Sequence, residues 1–136
     1  MKKAIAKSAL SLGKVLPLIA GTVLLAGLIN SLVPKSFYLT VFYNNAILDS
    51  LIGTIIGSIS AGTPITSYIL GGELLNQGVS LVAVTAFLVA WVTVGAVQLP
   101  AEIAILGKKF ALLRNATAFI LAIAVAIITV FVLKLM

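Results

Sequence analysis

The chain has 136 residues, 62% of them hydrophobic and 9% charged, with a mean hydropathy of +1.27; a soluble domain carries roughly 25% charged residues, so the composition predicts an all-α integral membrane protein, a single transmembrane domain over 1–136. Cysteine and histidine are absent and Asp49, Glu73 and Glu102 are the only acids, which removes disulfides, thiolate metal sites and the commonest nucleophiles and general bases, and argues against an enzyme, a metal centre or a cofactor. The net charge of +6 is read as setting topology and meeting lipid phosphates, not nucleic acid.

Lys2, Lys3, Lys7 and Lys14 precede an uncharged run from Val15 to Val33. That run exceeds the roughly 7–15 residues of a secretory h-region and reads as a retained first span, ended by Pro34. Residues 4–12 suggest a short interfacial helix before it. Residues 35–45, KSFYLTVFYNN, read as a loop with interfacial aromatics Tyr38, Phe42 and Tyr43. The second element starts near Ala46. Its small residues Ser50, Gly53, Gly57 and Ala61 share a helical face on which backbones can approach closely. Thr63-Pro64 breaks it, and residues 64–75 follow. A long apolar helix is predicted from about Val79 to Leu99, with Trp91 lining a packing surface or cavity. Residues 100–114 have amphipathic spacing at Ile103, Leu106, Phe110 and Leu113 and predict an interfacial helix. A last span covers Ala116–Leu133.

The fold is therefore three to four transmembrane helices with a broken or re-entrant helix pair around residues 47–75. If 47–70 cross once, Lys2, Lys3, Lys7, Lys14 and Lys134 face Lys35, Lys108, Lys109 and Arg114 across the bilayer, almost without bias. If 47–75 dip in and return, Lys2, Lys3, Lys7, Lys14, Lys108, Lys109 and Arg114 share one side against Lys35 and Lys134. The second arrangement obeys the positive-inside rule with a cytoplasmic N-terminus, and the hairpin is favoured; the single crossing stays open. A balanced chain could also insert both ways and pair antiparallel.

The polar stretch SAGTPITSYILGGE, residues 60–73, carries the candidate site. A proline frees backbone carbonyls, Gly62 allows a sharp turn, and Thr63, Thr66 and Ser67 bring hydroxyls. A helix restarting at 65 aims its amides and positive dipole end into the membrane, which suits an anion or polarised oxygen. The candidate substrate residues are Gly62, Thr63, Pro64, Thr66, Ser67 and Glu73, with Thr93 and Gln98 on the next helix facing the same cavity. Asp49 and Glu73 are candidate coupling carboxylates; capping explains Asp49 as well. Glu102 reads as structural.

At GTPITSYILGGELLNQGVSLVAVTAFLVA the chain resembles half of a member of the predicted permease family that includes the organoarsenical efflux permeases. Gly62-Thr63-Pro64, Gly78 and Phe87 follow that family's order, over about residues 46–135. The resemblance implies a permease rebuilt from two copies, hence a homo-oligomer with a dimer favoured, and the Gly53/Gly57 face offers a seam. Where efflux members carry cysteines, this chain has Ile65, Thr66, Ser67 and Tyr68, so thiol chemistry on a soft metalloid does not carry over. The expected function is a multi-pass cell-membrane permease for a small polar or anionic solute or ion. The alternative is a non-transporting accessory membrane protein.

Overall fold

The computed structural model describes the backbone of residues 2–32 and 34–136, and side chains throughout from residue 40 and at part of the earlier positions. Seven helices follow one another among the described residues: α1 (Lys2–Leu32), α2 (Lys35–Val41), α3 (Ala46–Ile59), α4 (Pro64–Asn76), α5 (Leu81–Thr93), α6 (Leu99–Leu106) and α7 (Lys108–Leu135). One of them, α7, is long and apolar enough to cross a membrane, with 28 residues and a peak mean hydropathy of 2.9.

Local chemistry explains most boundaries. Asn45 caps α3 by accepting the Ile47 N–H through Oδ1 (3.0 Å), and Ser80 caps α5 by accepting the Ala83 N–H (3.3 Å); both are favoured N-cap residues. Thr63 caps α4 and Pro64 opens it, where a missing N–H costs nothing.

The helix α5 is the centre. α3, α4 and α7 all pack on it, α7 also touches α3, and α1 lies against α4. α3 runs parallel to α5. Asp49 meets Ser80 at one end, Gly53 meets Ala83 in the middle, and Gly57 meets Phe87 and Ala90 at the other. α4 returns antiparallel, so α3 and α4 form a helical hairpin whose two ends lie at one level. The arms splay: both pack on α5 but not on each other.

α7 runs antiparallel to α5. Ala126 and Val130 pack with Val82 and Ala86, and Ala122 with Ala90 and Val94. The same direction continues where Glu102 of α6 meets Arg114 and Asn115. α5 and α6 thus form one rod, broken at 94–98, beside α7.

Several expectations change. The interfacial helix over 100–114 does not exist. α6 stops at Gly107, whose φ of 85° reverses the chain, and 108–114 are the first turns of α7. The long helix over 79–99 ends at Thr93, and 94–98 leave the helix around Gly95. The short helix expected over 4–12 and the run from Val15 belong to one continuous helix, Lys2–Leu32, with Pro17 inside it. The loop over 35–45 contains α2, and Tyr38 is buried against Val79, Ala83 and Val84. The Gly53/Gly57 face is not a seam for a second copy. A Cβ on Gly53 would lie 2.1 Å from the Ala83 carbonyl oxygen, and one on Gly57 2.4 Å from that of Phe87. α5 of the same chain occupies that face.

Candidate functional site

The base of the hairpin is built around Asp49, which is 0% exposed. A buried charge must be matched by hydrogen bonds. Its Oδ1 accepts the Tyr43 N–H (3.0 Å) and its Oδ2 accepts the Ser80 hydroxyl (2.5 Å). Because Asp49 sits in the first turn of α3 and Ser80 caps the parallel α5, two positive helix ends converge on one carboxylate. Bonds to a charged acceptor are worth about 1.5–3 kcal/mol, so this is a strong clamp between the loop before α3 and the start of α5. Asp49 is enclosed and faces neither the tip nor its pocket; the coupling role expected for it has no geometric support, and the capping-type role does.

Above the clamp, hydroxyls of Ser50, Thr54 and Ser58 face the interior. Each donates to a carbonyl of its own helix, at Ile47, Ser50 and Ile55. They are satisfied locally and let α3 lie close to α5.

The other end holds two non-helical segments side by side. The tip of the hairpin, 60–63, meets the α5–α6 break, 94–98. The Ala96 N–H donates to the Ser58 carbonyl (3.3 Å), and Trp91 Nε1 donates to the Gly62 carbonyl (3.3 Å). Gly62 has φ 151°, and a Cβ there would lie 3.0 Å from the Trp91 ring, so glycine is required both by the turn and by the contact. Ala90 and Val94 at this level pack on Ala122, midway along α7. A pocket of about 110 Å³ opens here, with Ser60, Ala61, Gly62, Gly95, Gln98 and Arg114 in its wall. Arg114 pairs with Glu102, and Asn115 Nδ2 donates to the other Glu102 oxygen (2.8 Å). Both carboxylate oxygens of Glu102 are thus engaged within the fold.

A scan against protein-family models and searches of curated proteins and of solved structures find no match to this chain.

The expected site residues divide. Gly62 and Gln98 line the tip pocket. Thr63 and Pro64 form the start of α4 just beside it. Thr63 Oγ1 accepts the Thr66 N–H (3.4 Å) and lies 3.1 Å from the Thr66 hydroxyl. Ser67 is 1% exposed and donates to the Pro64 carbonyl (2.7 Å). Its hydroxyl serves the first turn of α4, not the pocket. Thr93 is exposed and donates to the Val89 carbonyl (2.7 Å); it is not in the wall. Glu73 lies ten residues beyond Thr63 on α4, about 15 Å along the axis, and lines a different cavity. Arg114 and the backbone at 94–98 were missed. The signal for them was weak: one Gly95 in an apolar run, and a Glu102–Arg114 spacing that makes sense only if the chain reverses at Gly107.

Proposed function

We propose that the chain is a subunit of a membrane permease for a small polar or anionic solute, with the hairpin tip and the α5–α6 break as its solute site. One observation carries the reading: two non-helical segments meet midway along an apolar helix long enough to span a bilayer. In lipid, such backbone is tolerated only when buried in protein or lining water. A kink for packing needs one break; a solute site built from discontinuous helices uses two facing ones. Gln98 and the Glu102-paired Arg114 place N–H donors in the wall of the tip pocket, and the start of α4 lies beside it, which suits a polar or anionic solute.

In this reading α7 crosses once, the α5–α6 rod crosses once, and α1 is the third crossing. The α3–α4 hairpin enters and leaves by the face that bears Lys134. Lys2, Lys3, Lys7, Lys14, Lys108, Lys109 and Arg114 then share the cytoplasmic side. Exposed Ile120, Leu121, Ile128 and Phe131 on α7 suit contact with lipid or with a second copy. The resemblance to half of a two-repeat permease points the same way, to a homo-oligomer. The accessory-protein reading draws support from one observation, the local hydrogen bonding of Ser67 and Thr63, which leaves fewer hydroxyls for a solute.

Single-cysteine variants Ala61→Cys, Thr63→Cys and Gln98→Cys in this cysteine-free chain test the permease reading. A small hydrophilic methanethiosulfonate reagent should modify all three, while Thr54→Cys stays protected. If none reacts although Lys109→Cys at the α7 start does, the site holds no water and the reading fails.

A further inference from the structure

The splayed arms of the hairpin leave a second cavity, of about 400 Å³, between α3 and α4. α5 forms its floor and α2 covers it. This size falls in the range of small-molecule sites, roughly 300–1,000 Å³. Its wall is apolar and rich in rings: Phe37, Tyr38, Phe42, Phe87 and Trp91 all line it. Phe87 and Trp91 stand edge to face at 5.2 Å.

Among the described residues one charged side chain lines this cavity, Glu73. The other two acids of the chain are engaged elsewhere, Asp49 in the base clamp and Glu102 with Arg114 and Asn115. Among the described residues no cation pairs with Glu73. Gln77 Nε2 donates to its Oε1 (3.1 Å), a neutral partner that orients the carboxylate. The protein has nine Lys and Arg against three acids, so a carboxylate without a cation partner among the described residues, against a ring-lined cavity, is not for want of cations.

We propose that the cavity between the hairpin arms binds a lipophilic monovalent organic cation, its charge on Glu73 and its apolar body among Phe37, Phe42, Phe87 and Trp91. Aromatic faces attract cations, more strongly when water is excluded, and a carboxylate adds a charge-assisted partner. An anionic lipid or fatty acid would meet the same carboxylate as a repulsion. The cavity adjoins the tip pocket, with Ser60, Ala61 and Trp91 in both walls, but Glu73 lines the cavity and not the tip pocket, so the proposal stands whether or not the tip carries a solute.

Trp91 is the single tryptophan of the chain and lines both the cavity and the tip pocket, so it reports binding at either, and Glu73→Gln assigns the signal to the cavity. Tetraphenylphosphonium, titrated into the purified full-length protein, should change Trp91 fluorescence saturably. Tetraphenylborate, nearly the same shape with opposite charge, should bind at least about tenfold more weakly. Glu73→Gln should weaken tetraphenylphosphonium by about tenfold or more while leaving far-UV circular dichroism and thermal unfolding unchanged. Equal binding of the two ions to the unaltered protein overturns the proposal without any variant. So does the absence of saturable binding, or full affinity in a folded Glu73→Gln protein.

Discussion

At its base the α3–α4 hairpin is held by a fully buried carboxylate, and along the α3 arm above it by glycines pressed on a neighbouring backbone. At its tip it is held by two hydrogen bonds of 3.3 Å beside an open pocket. The same two helices take part in both regions, so the difference lies in the residues at each end. Small side chains and one ion-quality clamp make a rigid root. Glycine, proline and a break in the partner helix make the other end, joined by longer hydrogen bonds. Local stability is set by buried contacts and shielded hydrogen bonds, so the tip is the part of the hairpin expected to open most readily.

The largest effect should come from the root. Gly53→Val places side-chain atoms on the Ala83 carbonyl, which is backbone and cannot yield cheaply. It should destabilise by about 3 kcal/mol or prevent folding, as read by unfolding of the purified protein in detergent. A mild effect there would mean that α3 and α5 do not lie in the close contact described.

Removing the clamp should rank next. Asp49→Ala strands the Tyr43 N–H and the Ser80 hydroxyl and should cost about 2–3 kcal/mol, with Ser80→Ala costing about 1 kcal/mol. The double variant should cost less than the sum, because both remove one interaction. Full additivity would show that the two side chains do not act on each other.

At the tip the changes should be smaller. Thr63→Ala removes the α4 cap and should cost about 1 kcal/mol in the same unfolding measurement. Gln98→Ala, at an exposed side chain, should change stability by less than about 0.5 kcal/mol while altering access of aqueous reagents to Ala61→Cys. If Gln98→Ala destabilised as much as Asp49→Ala, the contrast between root and tip would collapse.

How much of this was legible in the sequence follows from where the signals lie. The start of α4 was visible, because Thr63 and Pro64 are a capping residue and an N1 proline in sequence. The close-packing face of α3 was visible too, since Gly53 and Gly57 repeat at helical spacing. What it packs on was not. Close approach is encoded on both partners, and Ala83 and Ala90 look like ordinary residues of an apolar helix. The break at 94–98 left almost no trace, because no proline lies within it. It is stabilised by a tertiary bond, from Ala96 to Ser58, that no local pattern records. The reversal at Gly107 was hidden by Ile103, Leu106, Phe110 and Leu113, whose spacing fits a continuous helix equally well. Asp49 was recognised as an acid near a helix start, but its burial depends on Ser80, 31 residues away.

The central claim is that the chain enters at Asn45, turns at 60–63 and returns to the same level at Asn76, with the start of α7 at the far end. Single-cysteine variants Asn45→Cys, Asn76→Cys and Lys108→Cys, treated with a membrane-impermeant maleimide on sealed cells and then on inverted vesicles, test it directly. The account predicts that Asn45→Cys and Asn76→Cys react from one face and Lys108→Cys from the other. Labelling of Asn45→Cys and Asn76→Cys from opposite faces would contradict it.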